Sequence, residues 1–292
     1  MIRKWILTAV IVLLLSCAGC GKQEAPAKIA ATTLPVYEFT QILCGGTDLT
    51  VTRLVTESVS CLHDYSLSVR QVKAAEQAEV VVISGAGLED FMRDVLDGVE
   101  SVVDAGEGVE LIDCSEEHEH GHDHHHHEAD SHIWLSAENA GIMANNICAG
   151  LCAKYPQWAE RMEENLAELL KKLDDLQTYG EDNLSGLKCR EMVTFHDGFS
   201  YFAHSFGLTI LEAVEEESGS EASAGELVHL IGIVREHRLP AVFTEVNGSV
   251  SAARVIAAET GIRVFALDMA MSGESYFEAM YRNIDTVKEA MG

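Results

Sequence analysis

Proline and positive charge are both scarce in this chain: 292 residues contain four prolines and 20 Lys and Arg. Against those 20 stand 47 Asp and Glu, a formal charge of −27. A surface so poor in positive charge repels phosphate, which excludes nucleic acid as a partner. It repels anionic lipid headgroups too, so a basic electrostatic membrane anchor is excluded. Cations are drawn to it instead. Signatures of a nucleophile or a phosphate cradle are missing: no GxSxG elbow, P-loop or GxGxxG turn occurs. Beyond residue 20 no CxxC pair occurs, so a thiolate zinc knuckle is unsupported. HExxH occurs once as letters, in His118-Glu119-His120-Gly121-His122, but that run has no apolar helical pattern to put both imidazoles on one helix face. His127-Glu128-Ala129-Asp130-Ser131-His132 has three residues after the glutamate where the motif has two.

What is present begins with the N-terminus. Arg3 and Lys4 precede an eleven-residue apolar run, Trp5 to Leu15, and then Ser16-Cys17-Ala18-Gly19-Cys20. The run is too short to stay in a bilayer as a spanning helix, so residues 1–19 read as a signal peptide. A cysteine after Ala-Gly resembles the lipobox of bacterial lipoproteins, which makes Cys20 the expected site of acylation. Leu14-Leu15-Ser16-Cys17 also fits that pattern, with Cys17 as the alternative. Residues 20–27 then form a lipidated tether holding a folded domain at the outer face of the membrane. Six cysteines follow: Cys44, Cys61, Cys114, Cys148, Cys152 and Cys189. An exported chain permits disulfides, but Cys148 and Cys152 sit four apart on a helical stretch, and buried free thiols are the preferred reading.

Hydrophobic residues at 47% and charged ones at 23% give the chain enough apolar surface for a real core. Strands are expected at 28–33, 49–54, 79–84 and 109–112, with helices at 36–43, 69–77 and 88–96 between them. The second half repeats the rhythm: strands at 191–195, 209–212, 241–244 and 263–266, helices at 198–206, 224–236, 249–260 and 276–291. Alternating strands and helices predict parallel sheets covered on both faces. Between the halves, Trp158, Met162, Leu166, Leu169, Leu173 and Leu176 recur at helical spacing within residues 157–184. The expected fold is therefore α/β: two (β/α) lobes, 28–155 and 185–292, joined by one long helix at 156–184.

Histidine is abundant and unevenly placed. Of 13, seven lie between Glu116 and Glu128: His118, His120, His122, His124, His125, His126 and His127. That segment has no apolar residue, so it reads as a solvated loop whose imidazoles and carboxylates suit transient capture of zinc, copper or nickel. His63, His132 and His196 each sit near a predicted strand end. Ligands of open α/β sheets bind at the carboxyl ends of strands, so these three are expected to converge between the lobes. Glu245 and Asp268 end two further strands; either could supply an oxygen ligand and the other orient a histidine. His204 and His229 fall inside predicted helices and His237 at a helix end, where they read as ordinary helix residues.

The segments LHDYSLS, DSHIWLSAENA, VTFHDGFSYFAHSFGL, SAGELVHLIGIVREHRLPAVFTE and ALDMAMSGESYFEAMYRNID together resemble the metal-binding lipoproteins of bacterial ABC importers, in their zinc-uptake branch. The similarity runs from Lys28 to the C-terminus. It implies metal held at the interface of two lobes by His63, His132 and His196, with Asp268 in the family's usual acidic position and Glu245 as an alternative fourth ligand. The manganese branch typically has a carboxylate where His196 stands, so the resemblance favours Zn(II). The chain departs from the family in lacking proline before His63 and His132, where Leu62 and Ser131 stand, and after Glu245 and Asp268. The function implied is a monomeric zinc receptor, not an enzyme, delivering to an ABC permease driven by a separate ATPase subunit. The alternatives are a manganese or iron receptor, a surface zinc buffer and, with Glu245 as general base, a zinc hydrolase.

Overall fold

The computed structural model describes residues 27–57, 62, 65–112, 129–214 and 222–292. His63, the seven histidines of 118–127, Cys17 and Cys20 lie outside the described residues.

Two four-stranded parallel sheets form the frame. The first contains β1 (Ile29–Ala31), β2 (Val51–Arg53), β3 (Val80–Ile83) and β4 (Val102–Asp104) in the order β2-β1-β3-β4. The second contains β5 (Glu191–Thr194), β6 (Thr209–Ala213), β7 (Ala241–Glu245) and β8 (Arg263–Leu267) in the order β6-β5-β7-β8. The same topology is thus used twice. Inner strands of such sheets are covered on both faces, which is why β1 and β7 are buried at every residue and β1 and the first three residues of β7 are apolar.

The helices are α1 (Leu34–Leu43), α2 (Val69–Gln77), α3 (Arg93–Leu96), α4 (Ala137–Lys154), α5 (Ala159–Leu184), α6 (Ser200–Ser205), α7 (Ala224–His237), α8 (Ser251–Thr260) and α9 (Tyr276–Met291). Capping boxes start α2 and α7: Ser68 with Gln71, and Ser223 with Glu226. Each satisfies two backbone donors that the first helical turn would otherwise leave open. None of the described helices is long and apolar enough to cross a membrane.

The linking rod is α5, 26 residues or about 40 Å at roughly 1.5 Å per residue. Its buried face is Met162, Asn165, Leu169, Leu173, Leu176, Gly180 and Leu184, spaced by three and four. Leu166, expected on that stripe, is only partly buried, as is Trp158 in the 3-10 turn Pro156–Trp158 that precedes the rod. Asn165 Nδ2 donates to the carbonyls of Leu43 and Gly45, satisfying the C-terminal end of α1. At Gly180 a Cβ would come within 2.2 Å of the Phe206 ring, so the helix meets the second lobe at the one residue without a side chain.

One hydrophobic cluster runs from β1 and α1 through α4 and α5 into β7 and α9, so the lobes share a core. Polar ties reinforce it. Trp134, fully buried, donates its indole N–H to Met269 O at 2.8 Å, and Tyr276 Oη donates to Trp134 O at 2.8 Å. Arg53 Nη1 donates to Gly273 O at 2.8 Å.

Two sequence expectations fail. Residues 109–112 are not a sheet strand; the fourth strand is Val102–Asp104, an edge with a single buried residue, Val103. Residues 88–96 are not one helix but a 3-10 turn, Asp90–Met92, followed by the single turn of α3. Cys44, Cys148, Cys152 and Cys189 are free thiols, as expected; Cys61 and Cys114 lie outside the described residues.

Candidate metal centre

His132 is the residue before the 3-10 turn Ile133–Leu135, whose three side chains are buried and hold it in place. Only 3% of the residue is exposed. Asp130, two residues earlier, uses one oxygen twice: Oδ1 accepts from His132 N at 2.8 Å and lies 2.8 Å from His132 Nδ1. A carboxylate there keeps the proton on Nδ1, so the Nε2 lone pair can accept from His196 Nε2 or bind a metal in its place. Tyr201 Oη donates to the Asp130 carbonyl at 3.1 Å, tying this loop to α6 of the other lobe.

His196 lies two residues past the end of β5, and Thr194 Oγ1 donates to its carbonyl at 3.0 Å. Its Nδ1 lies 3.0 Å from Glu245 Oε1 at the end of β7. The contact is close but not aligned as a hydrogen bond, and Glu245 Oε1 has no hydrogen bond among the described residues; the same is true of Asp130 Oδ2. Burial of His196 pulls its pKa down, but the close Glu245 contact and its charge, with the charges of Asp197 and Asp130, outweigh burial and leave it above the ordinary value.

The two imidazoles meet edge to face, with Nε2 atoms 3.4 Å apart. An ion with metal–nitrogen bonds of about 2.0–2.1 Å in tetrahedral geometry separates its ligands by about 3.3–3.4 Å. The pair is therefore spaced as two corners of such a site. Gly198 makes room for it: a Cβ there would stand 2.7 Å from His196 Cδ2, 3.0 Å from His132 Cε1 and 2.6 Å from Met269 Cε.

Asp268, which follows β8, sits beside Met269 at this end of the sheet. Its Oδ1 accepts from Ala270 N at 2.9 Å and its Oδ2 from Arg282 Nη2 at 3.1 Å. Of the expected ligands the described residues thus bring together His132 and His196, back them with Asp130 and Glu245, and set Asp268 at a neighbouring strand end. His63 lies outside the described residues, which hold no cluster of three or more His, Cys, Asp or Glu able to take a metal. His204, His229 and His237 are where expected, on α6 and α7, with His237 Nδ1 3.0 Å from Glu191 and His229 Nε2 3.8 Å from Glu212.

Asp130 and Gly198 were not anticipated. The signal for Asp130 was its place two residues before a histidine, a spacing that lets one carboxylate reach both backbone and ring nitrogen.

A family model described as ZnuA, zinc-uptake complex component A, periplasmic, matches residues 29–290. The zinc-binding lipoprotein AdcA of Streptococcus pneumoniae is 28% identical over 292 residues, an alignment covering 94% of this chain and 58% of AdcA. The chain therefore spans little more than half the length of the curated relatives it matches. Among solved structures, a crystal structure of ZnuA has 26% identity and a TM-score of 0.77, covering 90% of this chain and 99% of that one. The Zn(II)-bound ZnuA-like domain of Streptococcus pneumoniae AdcA has 26% identity and a TM-score of 0.76, covering 91% and 98%.

Proposed function

This chain belongs to the family of periplasmic zinc-uptake component A proteins, and on that premise we propose that it is an extracytoplasmic receptor that captures Zn(II) as cargo for an ABC permease. The observation that carries the reading is the His132–His196 pair, spaced at 3.4 Å as two corners of a tetrahedral site.

In this reading zinc is bound by His63, His132 and His196, with Asp268 as the fourth ligand. Glu245 faces Nδ1 of His196, the nitrogen turned away from His132, so it orients the ring, as Asp130 does for His132. Three imidazoles and a carboxylate make a closed set suited to holding an ion rather than activating a water on it. The protein is accordingly a monomeric binding protein and not an enzyme. The seven histidines of 118–127 gather zinc for this site. Acylation at Cys20, or at Cys17, keeps the receptor at the membrane beside its permease, and a separate ATPase subunit drives release inward.

Metal content of the mature chain with residues 116–128 deleted tests the reading. One zinc retained per chain against excess manganese, and lost in His196→Ala, is the expected result. Zinc lost with the deleted segment alone, or displaced by manganese, would sink it.

A further inference from the structure

Away from the histidine pair, α4 and α5 bring three sulfur atoms together. Cys148 and Cys152 lie one turn apart on α4, with Sγ atoms 3.8 Å from each other. Met162, in the first turn of α5, places Sδ 3.9 Å from Cys152 Sγ. Cys148 and Met162 are buried, whereas Cys152 is partly exposed and opens the cluster to solvent.

We propose that Cys148, Cys152 and Met162 form a second metal site, one that takes Cu(I) through two thiolates and a thioether. Metal–sulfur bonds of about 2.3 Å set ligand sulfurs about 3.8 Å apart around a tetrahedral ion and about 4.0 Å apart around a trigonal one. Both measured separations fall in that range without any backbone movement. The thioether decides the cation: it is neutral and soft, so it adds little for zinc, which takes imidazole, and much for Cu(I). Binding breaks two S–H bonds, forms two Cu–S bonds and one Cu–thioether bond, and releases two protons to solvent, with no change of oxidation state.

Burial, together with the neighbouring Cys152, pushes the Cys148 thiol up to about 12, so without a cation it keeps its proton at neutral pH. A thiol held protonated oxidises slowly, which preserves the pair for metal. A disulfide would need its sulfurs to close from 3.8 Å to about 2.05 Å across one helical turn.

The test uses the full, reduced, zinc-loaded chain titrated anaerobically with Cu(I) supplied as its bathocuproine complex. Wild type is expected to withdraw one Cu(I) per chain, with sulfur as the nearest neighbours by X-ray absorption, while its zinc stays bound. Cys152→Ser is expected to weaken Cu(I) binding by more than the about 10–100-fold that losing an outer partner of a metal site costs. Met162→Leu is expected to weaken it less. Equal affinity in wild type and Cys152→Ser, or nitrogen-only neighbours, would overturn the site. Unchanged binding in Met162→Leu would overturn its three-sulfur form. Because the absorption spectrum is recorded on wild type, nitrogen-only neighbours would overturn the site even if a variant fails to fold.

Discussion

His132 and His196 are 64 residues apart in the chain, and their Nε2 atoms stand 3.4 Å apart in the fold. Each ring has its other nitrogen against a buried carboxylate from its own lobe, Asp130 for one and Glu245 for the other. The two halves of the site are thus built independently and joined by packing, so each half can be tested alone.

Asp130→Asn removes the charge that holds the proton on His132 Nδ1 while keeping the shape. Zinc affinity is expected to fall about 10–100-fold, as for other outer partners of metal-binding histidines. Isothermal titration checks this; unchanged affinity would show that the tautomer is set elsewhere.

Gly198→Ala drives a methyl group to 2.7 Å from one ring and 3.0 Å from the other. The rings must separate beyond the spacing a tetrahedral ion needs, so zinc affinity is expected to drop with little change in thermal stability. A loss of stability with zinc affinity intact would mean that Met269, not the histidines, gives way.

In the proposed site, protons compete with zinc at His196. Because its pKa is raised, the proton is retained to a higher pH than the about 6.5 of a free imidazole. Apparent zinc affinity is therefore expected to fall with pH from a point above about 6.5, by about tenfold per unit for each proton displaced. In the metal-free chain the same shift stabilises the fold below about 6.5, and that gain is lost as pH rises through the folded value. Glu245→Gln should move both effects to lower pH, which titration at pH 5 to 8 reads directly.

Glu89 is buried beside Thr32, Ser84 and Gly85, and desolvation pushes its carboxyl up to about 7 despite the hydrogen bonds it accepts from them. The unfolded chain releases this proton near 4.5, so the native state holds more protons between those values and stability falls as pH rises through that window. The penalty reaches about 3 kcal/mol above neutrality. Urea midpoints at pH 5 and pH 8 are expected to differ accordingly, and Glu89→Gln to flatten the difference. An equal slope in the variant would assign the pH dependence to another group.

Gly180→Ala sets two effects against each other. Alanine improves an interior helical position by up to about 1 kcal/mol, but its methyl overlaps the Phe206 ring, and overpacking costs about 1–3 kcal/mol. The steric term wins, so a lower melting temperature is expected. A stabilised variant would show that Phe206 moves freely.

Long elements with a steady period were legible from residues alone. Val69–Gln77 and Tyr276–Met291 match their expected bounds to the residue, and the strands of the second sheet theirs to within one. Convergence of His132 and His196 was legible too, because strand ends in a parallel sheet gather on one side. Short elements were not. Val102–Asp104 buries one side chain and carries almost no pattern, whereas residues 109–112 carry a stronger one but contribute Val109 and a carbonyl to the loop holding Asp130. Gly198 was invisible because its role is an absence of atoms, which shows only when the neighbouring rings are in place.

Trp134 and Tyr276 tie the lobes together through buried hydrogen bonds, and the apolar face of α5 belongs to the same core. Such a frame resists opening like a jaw. If zinc leaves this protein at a useful rate, the acceptor has to take it by substitution, offering a new donor atom before an old one lets go. Speed of delivery would then depend on how well the acceptor presents a competing ligand, and selectivity on the order in which the ligands detach rather than on any closing movement.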